Sequence, residues 1–337
     1  MGRDDFKEQS HGNETESVTK NDTASIAKNN DFFDEFALSV NDLNEDVTYL
    51  VNDFLVEQSI TMIFAKASQG KSYFVLFLAL QLLEKNKIKK CVYLDMDNGK
   101  KALKSRGLDK QISKYPNLKY IHRSTLKGIN HLDMLERIVS EAISDSQRYN
   151  GYLFVIDSIR DFLAGRDMNK DKDIIPLMEQ LKQMRDSGAT IIFLHHSTKE
   201  REGNVYKGTT TFIDSIDVAY GLKKTEIERH KITSYALTVE KDRIAVDNTG
   251  FELNTDTGHL SNGNYEVANM SEDETDFVND VKIVLNTCEM INQGNLLKEI
   301  GRKKDDKTSL KYLQKYTNTF WKVERLQSNN SLLYSKI

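Results

Sequence analysis

The sequence predicts an α/β fold, a parallel sheet flanked by helices, followed by a smaller domain of helices and a hairpin. Three observations predict it. Short apolar runs at 60–64, 91–97, 152–157 and 190–196 alternate with segments of helical periodicity. The first run leads directly into a Gly-Lys-Ser loop and an almost wholly apolar helix. The composition then changes near the end: 291–337 holds ten Lys and Arg against four Asp and Glu, in a chain whose net charge is −4.

Taken in order, residues 1–30 are polar and mixed in charge, too poor in apolar groups to offset the entropy of ordering, and are expected to be a disordered tail. The core is expected over 31–258. After the strand at 60 come the helix of 73–83, a strand at 91–97 closed by Asn98-Gly99, and a short strand at 118–122. Leu132, Leu135, Val139, Ala142 and Ile143 make a helical stripe, and 152–157 is a strand ending in a carboxylate. Ile174, Leu177, Leu181 and Met184 share a second helical face, with Gly188 as its stop signal before the strand of 190–196. Three further strands, within 213–253, suggest a meander. Residues 259–272 read as a polar linker. Residues 273–337 read as three helices and two strands, the winged-helix layout, with a basic surface suited to phosphate contact and major-groove reading; the alternative is a winged helix used only for protein docking.

Composition narrows the class. Apolar residues make up 39% and charged ones 29%, enough for one core with solvated loops or tails. The two cysteines, Cys91 and Cys288, have no metal spacing and fit a reducing compartment. No signal core or membrane span is apparent, so a soluble cytoplasmic protein is expected.

The chemistry gathers at strand ends. Ala65-Lys66-Ala67-Ser68-Gln69-Gly70-Lys71-Ser72 follows the phosphate-binding pattern G-x-x-x-x-G-K-[ST], with Ala65 at the first glycine. Backbone N–H groups would cradle an anion, Lys71 would reach the terminal phosphates, and Ser72 would supply a hydroxyl to Mg²⁺. In a parallel sheet, ligands lie beyond the carboxyl ends of the strands. That edge would carry this loop, Asp95 and Asp97, Asp157, and His195 and His196. Adjacent strand residues face opposite ways, which argues against a zinc site at the histidine pair.

On these motifs, together with Val239-Glu240-Lys241-Asp242-Arg243, the chain resembles the RecA/DnaB-type ATPases, in particular the plasmid RepA-like branch of hexameric helicases. The resemblance covers about 48–253. It implies ATP and Mg²⁺ as cofactors, with Ser72 and Asp157 at the metal. Asp97 would stand where the family has a catalytic glutamate, with Asp95 as the second candidate base or simply a turn residue. His196 would sense the γ-phosphate. Lys241 and Arg243 resemble the paired cationic fingers that reach a neighbouring subunit's nucleotide; the alternative is a solvated strand end. Two loops, 160–172 and 199–211, would line a channel for single-stranded DNA through Arg166, Lys170, Arg201 and Lys207, or would be plain surface loops. The function implied is a ring-forming, hexameric DNA helicase or translocase of plasmid, phage or mobile-element replication, its C-terminal domain binding DNA or an initiator protein. The rival is a DNA-binding regulator using ATP as an oligomerisation switch. A small-molecule kinase fits less well, because no acceptor site or lid is evident.

Overall fold

The computed structural model describes residues 32–44, 46–163, 165–198, 206–228, 232–327 and 330–337. The expected tail of 1–30 and Arg201 lie outside them. The chain divides into two compact units, 1–46 and 47–337. The described part of the first holds two 3₁₀ turns, Phe32–Glu35 and Val40–Leu43.

In the second unit, β1 (Tyr49–Val51) and β2 (Leu55–Val56) form a small antiparallel pair. The core then runs β3 (Ile60–Ala65), α1 (Lys71–Glu84), β4 (Lys90–Asp95), α2 (Lys100–Ser105), α3 (Leu108–Lys114) and β5 (Leu118–His122). It continues with α4 (His131–Ser144), β6 (Tyr152–Asp157), α5 (Asp171–Asp186), β7 (Thr190–His196), α6 (Thr211–Asp214) and β8 (Val218–Glu228). Next come β9 (Ile232–Asp242), β10 (Thr249–Asn254), β11 (Leu260–Gly263) and α7 (Tyr265–Ala268).

Nine strands make one sheet in the order β11-β10-β9-β8-β3-β7-β6-β4-β5. Strands β3 to β8 pair in parallel, and β9, β10 and β11 add an antiparallel edge. This is the α/β architecture, a mostly parallel sheet flanked by helices, that the sequence predicts. Strand β3 is buried along its whole length, which explains its continuous apolar run. Its alternate residues feed two cores. Ile63 and Ala65 join α1, whose apolar residues cover one face; Ile60, Met62 and Phe64 join α4 and α5 on the other. Helix α1 is apolar almost all round because it lies between the sheet, the β1–β2 pair and β10.

The stretch expected as a linker, 259–272, contains structure. Strand β11 pairs with β10 from Gly250↔Gly263 to Leu253↔Leu260, and Leu260, Val267, Ala268 and Met270 are buried. These few apolar residues are too widely spaced to show a period in sequence, but a strand of four and a single helical turn need no more. Beyond it lie α8 (Glu272–Leu285), β12 (Ile291–Asn292), α9 (Gln293–Glu299), α10 (Lys307–Lys315), β13 (Trp321–Arg325) and β14 (Leu332–Lys336). Helix α8 begins earlier than its apolar pattern suggests, because Ser271 and Glu274 form a reciprocal capping box. Strand β12 adds a third member to the expected hairpin, and Phe277, Leu296, Leu313 and Trp321 belong to a separate core. No helix among the described residues is long and apolar enough to cross a membrane.

Candidate functional site

The phosphate-type loop leaves β3 at Ala65 and enters α1 at Lys71. Ala65 keeps ordinary negative-φ backbone and is fully buried, so a methyl group at this first position is accommodated. The turn itself is made by Ser68 (φ +65°) and Gly70 (φ +78°). A Cβ at Gly70 would stand 2.9 Å from the Tyr235 hydroxyl, so both dihedral angle and space require glycine. Gln69 Oε1 accepts from the backbone N–H of Lys224 at 3.0 Å, fastening the loop tip to β8.

Lys71 is buried. Its Nζ donates to the carbonyls of Ala65 (3.0 Å) and Lys66 (3.3 Å). Burial lowers its pKa, and the nearby carboxylates of Asp157 and Asp97 act in the opposite direction. Asp157 ends β6 opposite Asp95 of β4. Burial pushes Asp157 up to about 7, with the Asp95 and Asp97 charges adding to it and hydrogen bonds from Ser72 and Tyr93 opposing it. The Ser72 hydroxyl and the Asp157 carboxyl thus lie together beside a buried lysine. Two such oxygens are the hard donors that Mg²⁺ takes, and a dication there would offset the charge that burial disfavours.

Asp95 and Asp97 separate clearly. Asp95 is fully buried and accepts from the N–H groups of Asp97 (3.0 Å) and Asn98 (2.9 Å), from the Asn98 amide and from the Tyr120 hydroxyl. Its lone pairs are committed to the turn, so of its two sequence readings the turn residue is the one the geometry fits. Asp97 is exposed and lines a cavity of about 590 Å³ with His196, Arg160, Ser158 and Arg123.

The histidine pair splits between the two sides of β7. His196 is half-buried and shares the cavities lined by Asp97 and by Lys66, its pKa lowered by burial first and then by the charges of Lys71 and Arg160. His195 turns to the other core, against Phe212.

Lys241 and Arg243 are not at this rim. Strand β9 is antiparallel, and Lys241 pairs with Ala219, which pairs with Met62. Lys241 Nζ donates to the carbonyl of Ile213, and Arg243 Nη2 to that of Asp214 at 2.8 Å, both at the end of α6. Within one chain the two cations therefore point to the rim opposite the phosphate loop. Arg166, Lys170 and Lys207 are exposed, with Lys170 within 3.8 Å of Asp167.

Several site residues carried no usable sequence signal. Asn98 read as a turn residue, yet its amide donates to Asp95 (3.2 Å) and lies 3.5 Å from Asp157, while Arg106 Nη1 donates to its side-chain oxygen. Tyr93 and Tyr120 stack at 4.7 Å and donate to Asp157 and Asp95 respectively. Beside Gly70, another cavity of about 420 Å³ is lined by Tyr73, Arg106, Tyr235 and Thr255. Its aromatic and guanidinium walls come from segments far apart in sequence.

A family model described as an AAA domain matches residues 30–202, just over half of the chain. Among solved structures, the KaiC-like protein PH0186 from the hyperthermophilic archaeon Pyrococcus horikoshii OT3 is similar at 13% identity, covering 62% of this chain and 91% of that one with a TM-score of 0.43. No curated protein matches the sequence.

Proposed function

The chain belongs to the AAA domain family, and from that premise we propose that it is a Mg²⁺-dependent ATPase whose subunits assemble into a ring, most simply a hexamer, and translocate on DNA in the manner of RepA-like replication helicases. The observation that carries the reading is the division of the site: a phosphate loop with its acidic partners at one rim, and the cation pair Lys241 and Arg243 at the other.

In this reading the loop 65–72 binds the phosphates of ATP through its N–H groups, and Lys71 leaves the Ala65 and Lys66 carbonyls to meet them. Ser72 and Asp157 would hold Mg²⁺, which when bound would neutralise developing charge on the phosphates. The cavity of Tyr73, Arg106 and Tyr235 suits the base, by stacking and cation–π contact. Asp97 orients and accepts a proton from the attacking water, and His196 responds to the terminal phosphate. The neighbouring subunit lends Lys241 and Arg243, the rate-enhancing charge that a single subunit lacks. Arg166, Lys170, Arg201 and Lys207 would track a single strand, and the winged-helix unit of 273–337 would engage duplex DNA or an initiator.

ATPase assays with and without single-stranded DNA, followed by strand displacement on a forked duplex, test this. DNA-stimulated turnover with unwinding supports the motor. Slow, DNA-independent turnover without unwinding supports a regulatory ATPase switch, which the short carboxylate of Asp97 favours.

A further inference from the structure

His195 has no role in the reading above, yet it is 1% exposed and joins two segments of the phosphate rim. Its ring packs on Phe212 with centroids 4.8 Å apart, and its Nε2 meets the carbonyl of Lys207. A carbonyl can only accept, so Nε2 carries the proton; Nδ1 has no partner among the described residues. Burial holds the ring neutral, its pKa lowered to about 4.

Lys207 is thus held at both ends of its backbone by the histidine pair. Its N–H donates to the His196 carbonyl at 2.9 Å, and its carbonyl accepts from the His195 ring. The next residue, Gly208 (φ +105°), passes so close to the first loop that a Cβ would lie 2.8 Å from the Met168 carbonyl. The Thr209 N–H then donates to that same carbonyl at 3.0 Å, and the Thr209 and Thr211 hydroxyls both donate to Asp171. The segments around 168–171 and 207–211 therefore share one foot, and the foot is pinned to β7 through His195.

We propose that His195 is a positioning residue: its Nε2–H keeps the joint foot of these two segments in register with His196, so that nucleotide at the phosphate loop and the foot each bias the other's arrangement. This rests on the nucleotide site proposed above but needs no DNA. Among the described residues Lys207 is engaged through its backbone and its side chain is exposed, so a fluorophore can be attached to Lys207→Cys in a Cys288→Ser background, Cys91 being buried. Its emission is expected to change on saturation with a non-hydrolysable ATP analogue. His195→Leu, which fills space without donating, should cut that change by about threefold or more, a modest coupling energy. His195→Gln, whose amide still donates, should restore it. Affinity for a fluorescent ATP analogue and melting temperature should stay close to those of the parent in both variants. An unchanged response in His195→Leu overturns the proposal, as does a parent that binds nucleotide without responding. Equal loss in Gln and Leu variants assigns His195 to packing and also overturns it. Failure of the parent to bind nucleotide sinks the ATPase reading instead.

Discussion

Lys241 stands level with Met62 of the phosphate-loop strand, and its ammonium turns to the Ile213 carbonyl, away from Ala65 where the loop begins. Sequence spacing puts these cations near a strand end; the antiparallel sense of β9 decides which end. A charge at that rim can serve a phosphate only on another molecule.

Lys71→Ala is expected to abolish hydrolysis, and Arg243→Ala to lower turnover by roughly 10³- to 10⁵-fold, the contribution of a cationic finger, with nucleotide affinity preserved. Mixing the two variants should raise activity above that of either alone, because some interfaces then pair an intact loop with an intact finger. Steady-state turnover of the mixture against each protein alone is the measurement. No recovery, or an Arg243→Ala protein of normal turnover, rules out the shared site.

The two carboxylates after β4 should behave differently. Asp97→Asn is expected to suppress turnover while the fold is retained, whereas Asp97→Glu, which extends the reach of the base, should hold or raise it. Asp95→Asn should instead lower the melting temperature, since the turn N–H groups of Asp97 and Asn98 and the Tyr120 hydroxyl would lose a charged acceptor, a loss of about 1–3 kcal/mol. Calorimetry beside kinetics separates these outcomes.

The pKa of Asp157 is raised by burial, from 3.8 to about 7. The folded protein then binds more protons than the unfolded chain between roughly pH 4 and 7, so this group's contribution to stability falls as pH rises through that window. Asp157→Asn should therefore be more stable than the parent at pH 8, by a few kcal/mol at most, with the gain disappearing below about pH 4. Urea melts of nucleotide-free protein at several pH values test it; a pH-independent difference contradicts the buried-carboxylate account.

The basic surface of the C-terminal unit is not uniformly available to phosphate. Lys315 pairs with Glu274 at 2.9 Å and Arg302 with Asp273 at 3.2 Å, whereas Lys307 and Lys311 of α10 are exposed and make no ion pair among the described residues. If this unit binds duplex DNA, Lys307→Ala and Lys311→Ala should each reduce the salt-dependence slope by about 1, and Lys315→Ala should change it little. Fluorescence anisotropy over a range of salt concentrations gives the slopes.

What the sequence determined by itself was local and periodic. The apolar run of β3, the stripe of α4 and the Gly-Lys-Ser loop each need only neighbouring residues, so these elements were legible at nearly their observed bounds, whereas short α2, α3, β11 and β12 were not. The tertiary structure alone decided what depends on strand order and direction. It brought Asp95 level with Asp157 and set the Asn98 amide against both, made Asp95 a turn anchor while leaving Asp97 in the open, and sent Lys241 and Arg243 to the far rim. It also recruited 259–272 to the sheet edge and gave His195 the Lys207 carbonyl. The physical reason is that a side chain's partner across the sheet is chosen by long-range pairing and burial, and these leave no trace in the spacing of residues along a single strand.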